Sequence, residues 1–278
     1  MAAVVDGALA NAGVLVDHRD AIPADLADAA LLIVDRATRL AAGEYLRNAT
    51  CPVVVVGDDL DDDGLITLML EAPVSHLVGD PTGADLGITS EKLVSRDLFG
   101  LEKYLAPGTK VGERVIANDP ERRSVIGEVC AWAEAIGTRV PILHRLANVI
   151  DELLMNALHD APRESNPEML IASRAVLRWA CDDQTIAISV SDHFGALRQR
   201  DVIDHVRRAR DERGKPEPSA DDPHGAGLGL YLVLANVASL VVNVDPGRQT
   251  EVVCLFDRNT GERRAVELST ARSLHVFT

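Results

Sequence analysis

Aromatic residues make up only 3% of this 278-residue chain, and its four cysteines are scattered with no CxxC pair. That pattern excludes a disulfide framework and, without clustered histidines, a zinc site. Cys51, Cys130, Cys181 and Cys254 read as reduced, small apolar residues. Positive charge is short as well: 28 Lys and Arg face 43 Asp and Glu, a formal net charge of −15. General nucleic-acid and anionic-membrane binders need a basic face, so neither partner is expected. Long apolar runs are missing. The stretches 52–56 (PVVVV) and 30–34 (ALLIV) are strand-length, far below the ~20 residues of a membrane helix. The first twenty residues lack a basic start and are broken by Asp6, Asn11 and Asp17, so no leader is expected and the predicted location is the cytoplasm.

What is present is ample apolar matter, 47% of the chain against 26% charged. At roughly 150 residues per domain the length suggests about two domains. Residues 1–105 hold 7 basic and 18 acidic side chains, a net of −11, and the remainder nets only −4. Such a shift is consistent with a boundary near the middle. Short β-branched runs at 13–18, 30–38, 51–59 and 74–81 alternate with Ala/Leu-rich helical stretches, which predicts a small doubly wound α/β domain over 1–82. Residues 83–118 read as a helical connector, with Ser90 as an N-cap and Pro107–Gly108 ending the helix. From 119 to 278 the pattern is two long helices (122–138 and 143–161), a hairpin across 181–184, an Arg-rich insertion, a polar loop, a further helix and two strands. Helices on one face of a mostly antiparallel sheet make an α/β sandwich.

Three motifs in this second half carry chemistry. In DELLMNALHDA, Glu152 and Asn156 stand four residues apart, so a carboxylate and a carboxamide share one helix face. The carboxylate suits a general base and the amide oxygen suits Mg²⁺; alone, a solvated polar stripe explains the pair better. In ISVSDHFGAL a strand delivers Asp192 into a turn containing Gly195. A carboxylate there suits an exocyclic amine such as adenine N6, and an ordinary Asp turn is the simpler reading in isolation. In HGAGLGLYLV, Gly225, Gly227 and Gly229 alternate at a helix start, as a phosphate cradle or as tight packing would require. The preceding segment is a loop and no P-loop lysine is present, so dinucleotide-fold and P-loop readings fail.

Taken in order, the acid/amide helix, the Asp turn, the polar loop, the GAGLGL box and the late strand with Thr250 resemble the GHKL ATPase family over about 122–257. That family unites sensor histidine kinases, anti-sigma-factor serine kinases and gyrase- and chaperone-type ATPases. The resemblance implies a Bergerat-type ATP-binding fold. It implies Glu152 as base, Asn156 as Mg²⁺ ligand, Asp192 with Gly195 and Thr250 at the adenine, and Gly225, Gly227 and Gly229 around the phosphates. Lys215 of the polar loop 210–224 is placed to reach anionic oxygens, and that loop is expected to gain order with Mg-ATP. The first glycine box departs from the family's Asp-x-Gly-x-Gly: it reads Asp192-His193-Phe194-Gly195-Ala196. No histidine-bearing dimerisation helix precedes the domain, and His144 lies within the ATP-domain helix as a structural residue. The layout is therefore closest to the anti-sigma serine kinases.

The first half resembles a response-regulator receiver more distantly. Asp35 ends a buried strand where the phosphoacceptor would sit, but Gly57 stands in the hydroxyl place and Asp80 in the lysine place. A carboxylate there would repel phosphate, which implies a degenerate receiver used for docking. The expectation is a cytosolic signalling protein that binds ATP and Mg²⁺ and phosphorylates a protein partner on serine or threonine, or hydrolyses ATP. A homodimer is left open. The alternative is a non-catalytic, ATP-gated adaptor.

Overall fold

Four consecutive valines, Val53–Val56, are all buried, as only a strand covered on both faces permits. They form β2 in a computed structural model that describes residues 9, 16–19, 21–22, 26–41, 46, 49–57, 75–79, 84–161, 173–204, 229–258 and 273–278. The fold is α/β, with nine strands among the described residues. The chain divides into two compact units: residues 1–104 with 272–277, and residues 105–271.

In the first unit, β1 (Leu32–Asp35), β2 (Val53–Val56) and β3 (His76–Val78) are parallel neighbours. A late strand, β9 (Ser273–Phe277), pairs antiparallel with β3, setting His275 opposite His76. Helix α1 (Arg36–Ala41) follows β1 directly. Of the strand expected at 13–18, the described residues 16–18 have no regular structure, and 13–15 lie outside the description. The connector helix α2 spans Ala84–Ser95, so Ser90 is not its N-cap; it sits mid-helix, buried, with no partner for its hydroxyl among the described residues. A short 3₁₀ turn, Leu101–Tyr104, closes this unit.

Between α2, β3 and β9 lies a buried polar cluster. Lys92, 1% exposed, donates to the Tyr104 hydroxyl at 2.6 Å and stands 3.9 Å over the Phe277 ring. His275 Nε2 meets the Asp85 carboxylate at 3.1 Å, and the His76 and His275 rings stack at 5.8 Å. Burial, then the neighbouring His275 and Lys92, hold the His76 imidazole well below its ordinary 6.5. A histidine held neutral in the fold contributes stability that is intact above about pH 6.5 and is lost on acidification below it. Amide protection along β3 and β9, with the intrinsic pH dependence of exchange divided out, is therefore expected to fall between pH 7 and pH 5, and His76→Gln to flatten that dependence. Equal pH profiles for the two proteins would contradict it.

In the second unit the strands run in the order β7, β8, β6, β5, β4, every neighbour antiparallel. They are β4 (Gly112–Ile116), β5 (Ala175–Cys181), β6 (Thr185–Asp192), β7 (Ser239–Asp245) and β8 (Gln249–Asp257). Strand β4 falls where the sequence predicts only connector. Helix α3 (Asp119–Ala135) starts earlier than expected because Asn118 caps it: the side chain accepts from the Glu121 N–H, and Glu121 accepts from the Ala117 N–H. Helix α4 (Val140–Met155) buries Ile142, Leu146, Val149, Ile150, Leu153 and Leu154, a stripe at three- and four-residue spacing. At about 1.5–3 kcal/mol per fully buried aliphatic side chain, that stripe anchors α4 to the unit. It packs against α3, β6 and α5 (Gly229–Asn236). Among the described residues no helix is long and apolar enough to cross a membrane.

Candidate functional site

The α-helical register of α4 carries through Asn156, whose N–H bonds back to the Glu152 carbonyl, so the acid and the amide stand one turn apart. Beyond it the helix differs from expectation. Asn156–Asp160 form a π turn, closed by the Ala161 N–H on the Asn156 carbonyl. Such one-turn bulges concentrate at functional sites. The Ser173 hydroxyl donates to the Leu158 carbonyl at 3.0 Å, satisfying a group the turn exposes.

Glu152 meets the glycine box. A Cβ at Gly229, the first residue of α5, would collide with the Glu152 carboxylate, so only glycine leaves that carboxylate where it lies. Burial, then Asp160 and Asp151, raise the Glu152 carboxyl above its ordinary range. A base moved toward neutrality is better matched to proton abstraction near pH 7.

Asp192 closes β6 directly across from Thr250 of β8. Its carboxylate accepts from the Phe194 N–H at 2.8 Å and is 6% exposed. Burial drives its pKa up; the Phe194 and Gly195 N–H groups, the nearby Thr250 hydroxyl and His193 pull it partly back. Thr250 is 3% exposed, and its Oγ1 makes no hydrogen bond of good geometry to a described group. A buried hydroxyl left in that state is a candidate ligand contact.

Gly195 turns the chain with φ +56°, and its carbonyl accepts from the Gly247 N–H at 3.1 Å. The turn after Asp192 is thereby stitched to the β7–β8 turn. Phe194 and Ala196 keep negative φ, so the two missing glycines of this box leave no backbone strain. Gly195→Ala would drive a Cβ into the Asp245 carbonyl and is expected to destabilise by about 1–3 kcal/mol. An unchanged urea midpoint would refute the close approach.

Gly225, Gly227, Lys215, the 210–224 loop and Asp80 lie outside the described residues. His144 is exposed on α4, so packing gives it no structural part. Asp35 accepts the Thr38 N–H at 2.7 Å, capping the turn that opens α1, and hydrogen bonding to Thr38 lowers its pKa. The Gly57 N–H is spent on the Val78 carbonyl. Sequence reasoning missed Asp119, Arg122 and His159, which meet at Asp151 and on the π turn; the Asp119–Arg122 spacing of three was the available signal. Among the described residues no group of three or more His, Cys, Asp or Glu is arranged to hold a metal ion. Compared with known proteins, the chain matches no family model and no curated protein sequence.

Proposed function

We propose that the second unit is a Bergerat-type module that binds Mg-ATP, and that the chain uses it in the cytoplasm to phosphorylate or regulate a protein partner, with the first unit a receiver-like docking domain. The observation that carries this reading is the seating of the Glu152 carboxylate on Gly229, which joins two motifs 77 positions apart in the chain. The buried Thr250 hydroxyl beside Asp192, with no well-aligned hydrogen bond among the described residues, fits an adenine edge, which offers both a donor amine and acceptor nitrogens. Four unpaired cysteines suit a reducing compartment.

On this reading Asp192 accepts from the adenine amine, and its N–H partners hold the carboxylate in place. Asn156 is the residue that would hold Mg²⁺; the ion would neutralise phosphate charge, and it commonly takes only one or two protein ligands. Glu152, its pKa raised by burial, takes the proton from the attacking hydroxyl. Calorimetric titration with ATP, with and without Mg²⁺, tests the reading. One site, tighter with Mg²⁺, is the expected result; no heat and no melting shift at millimolar ATP would overturn it. Binding without turnover that Glu152→Gln abolishes would favour the non-catalytic adaptor.

A further inference from the structure

The first turn of α3 touches α4 at Asp151 and the following π turn at His159, and these two contacts flank the segment 152–156. Arg122 Nε donates to Asp119 at 3.0 Å, and its Nη1 pairs with Asp151, the residue before Glu152. Asp119 Oδ1 in turn meets His159 Nε2 at 3.4 Å, on the π turn just beyond Asn156. Isolated surface ion pairs hold little, because two long side chains must be immobilised in high dielectric. Arg122 differs from that case: its side chain is 13% exposed and engages two carboxylates at once. The π turn needs outside support, since i→i+5 bonding rarely persists by itself. Arg122 also places positive charge on Asp151, one of the carboxylates that push Glu152 upward.

We propose that Arg122 is a positioning residue of the nucleotide site: with Asp119 it clamps α4 at Asp151 and the following π turn at His159, and so holds Glu152 and Asn156 in register for the metal-bound phosphates. The inference rests on the Mg-ATP reading. No other described group on α3 bridges two carboxylates at this end of α4 in the same way. Arg122 touches no nucleotide itself; it acts through the residues it holds.

The test is ATP titration of wild type, Arg122→Met, Arg122→Lys and Asp151→Asn, each in excess Mg²⁺ and in EDTA, with a melting curve for each protein. In EDTA all four are expected to bind within about twofold of one another, since the adenine end is untouched. The extra affinity that Mg²⁺ brings to wild type is expected to fall at least ~10-fold in Arg122→Met and Asp151→Asn, the size seen when outer partners of metal ligands are removed. Arg122→Lys, able to reach one carboxylate, recovers part of it. Asp151→Asn keeps the Arg122–Asp119 pair and answers the question if Arg122→Met does not fold. A full Mg²⁺ gain in the variants would overturn the clamp, as would equal losses in Mg²⁺ and EDTA, which mark a merely structural role. Wild type that binds no ATP at all would instead sink the Mg-ATP reading, and the clamp's role with it.

Discussion

Asp192→Asn is expected to weaken ATP binding by about 100-fold while the nucleotide-free protein melts no lower than wild type. The first half follows from hydrogen-bond polarity. The amide oxygen keeps the Phe194 N–H, at 2.8 Å in the native turn, which leaves an NH₂ facing the adenine amine. Losing a charged acceptor and pairing donor with donor is worth about 2–3 kcal/mol. The second half follows from the direction of the Asp192 shift. Burial raises this carboxyl, so the fold binds its proton more tightly than the unfolded chain does. Such a group contributes stability at low pH and loses it as pH rises through the folded pKa. At pH 7 the ionised carboxylate therefore burdens the fold, and the amide relieves that burden. Calorimetry and a melting curve at pH 7 check both halves. Unchanged affinity would remove Asp192 from the adenine site, and a clearly lower melting temperature would show that its charge serves the fold.

The second large effect belongs to Gly229. In an unencumbered helix, Gly→Ala gains up to about 1 kcal/mol. Here the new methyl meets the far end of a flexible side chain, the Glu152 carboxylate, which can rotate away. Stability should thus move by less than ~1 kcal/mol in either direction, while ATP turnover falls about 100-fold because the base no longer stands in place. Glu152→Ala should lose as much, and the double variant no more than either single one, since both remove the same function. Multiplying losses would separate Gly229 from Glu152 and undo the observation on which the functional reading stands.

How much of this was legible depends on where each signal resides. Helix α4 could be read because six buried residues repeat at helical spacing along it. The β5–β6 hairpin could be read because Asp182, whose carboxylate accepts from the Gln184 and Thr185 N–H groups, is a turn residue by its own chemistry. Strand β4 could not: Glu113, Arg114 and Val115 are all exposed, so no alternation marks it, and its state is set by pairing with β5. The π turn was hidden because it lies at the helix end, where buried Ala157 and Leu158 still follow Leu153 and Leu154 at four-residue spacing. Glu152, Asn156, Asp192 and Thr250 were nameable from residue type and order. Asp119, Arg122 and His159 were not: the Asp119–Arg122 spacing of three marks a pair within α3, and nothing in it names Asp151 or His159 as further partners.

Strand β9 has a consequence for the order of assembly. The β3–β9 ladder of the first unit waits for residues synthesised about 200 positions after β3, with His76 paired to His275. Closing a flexible loop of about 200 residues would oppose that pairing by roughly 5 kcal/mol. If the intervening unit folds first, far fewer flexible residues remain in the loop, and the penalty shrinks. Assembly of the first unit thus has a built-in order, with the second unit folding before β9 joins β3. A chain cut after residue 104 would present β3 as a bare sheet edge, with His76 and Lys92 deprived of the Phe277 ring. Such a fragment should seek a foreign strand in place of its own.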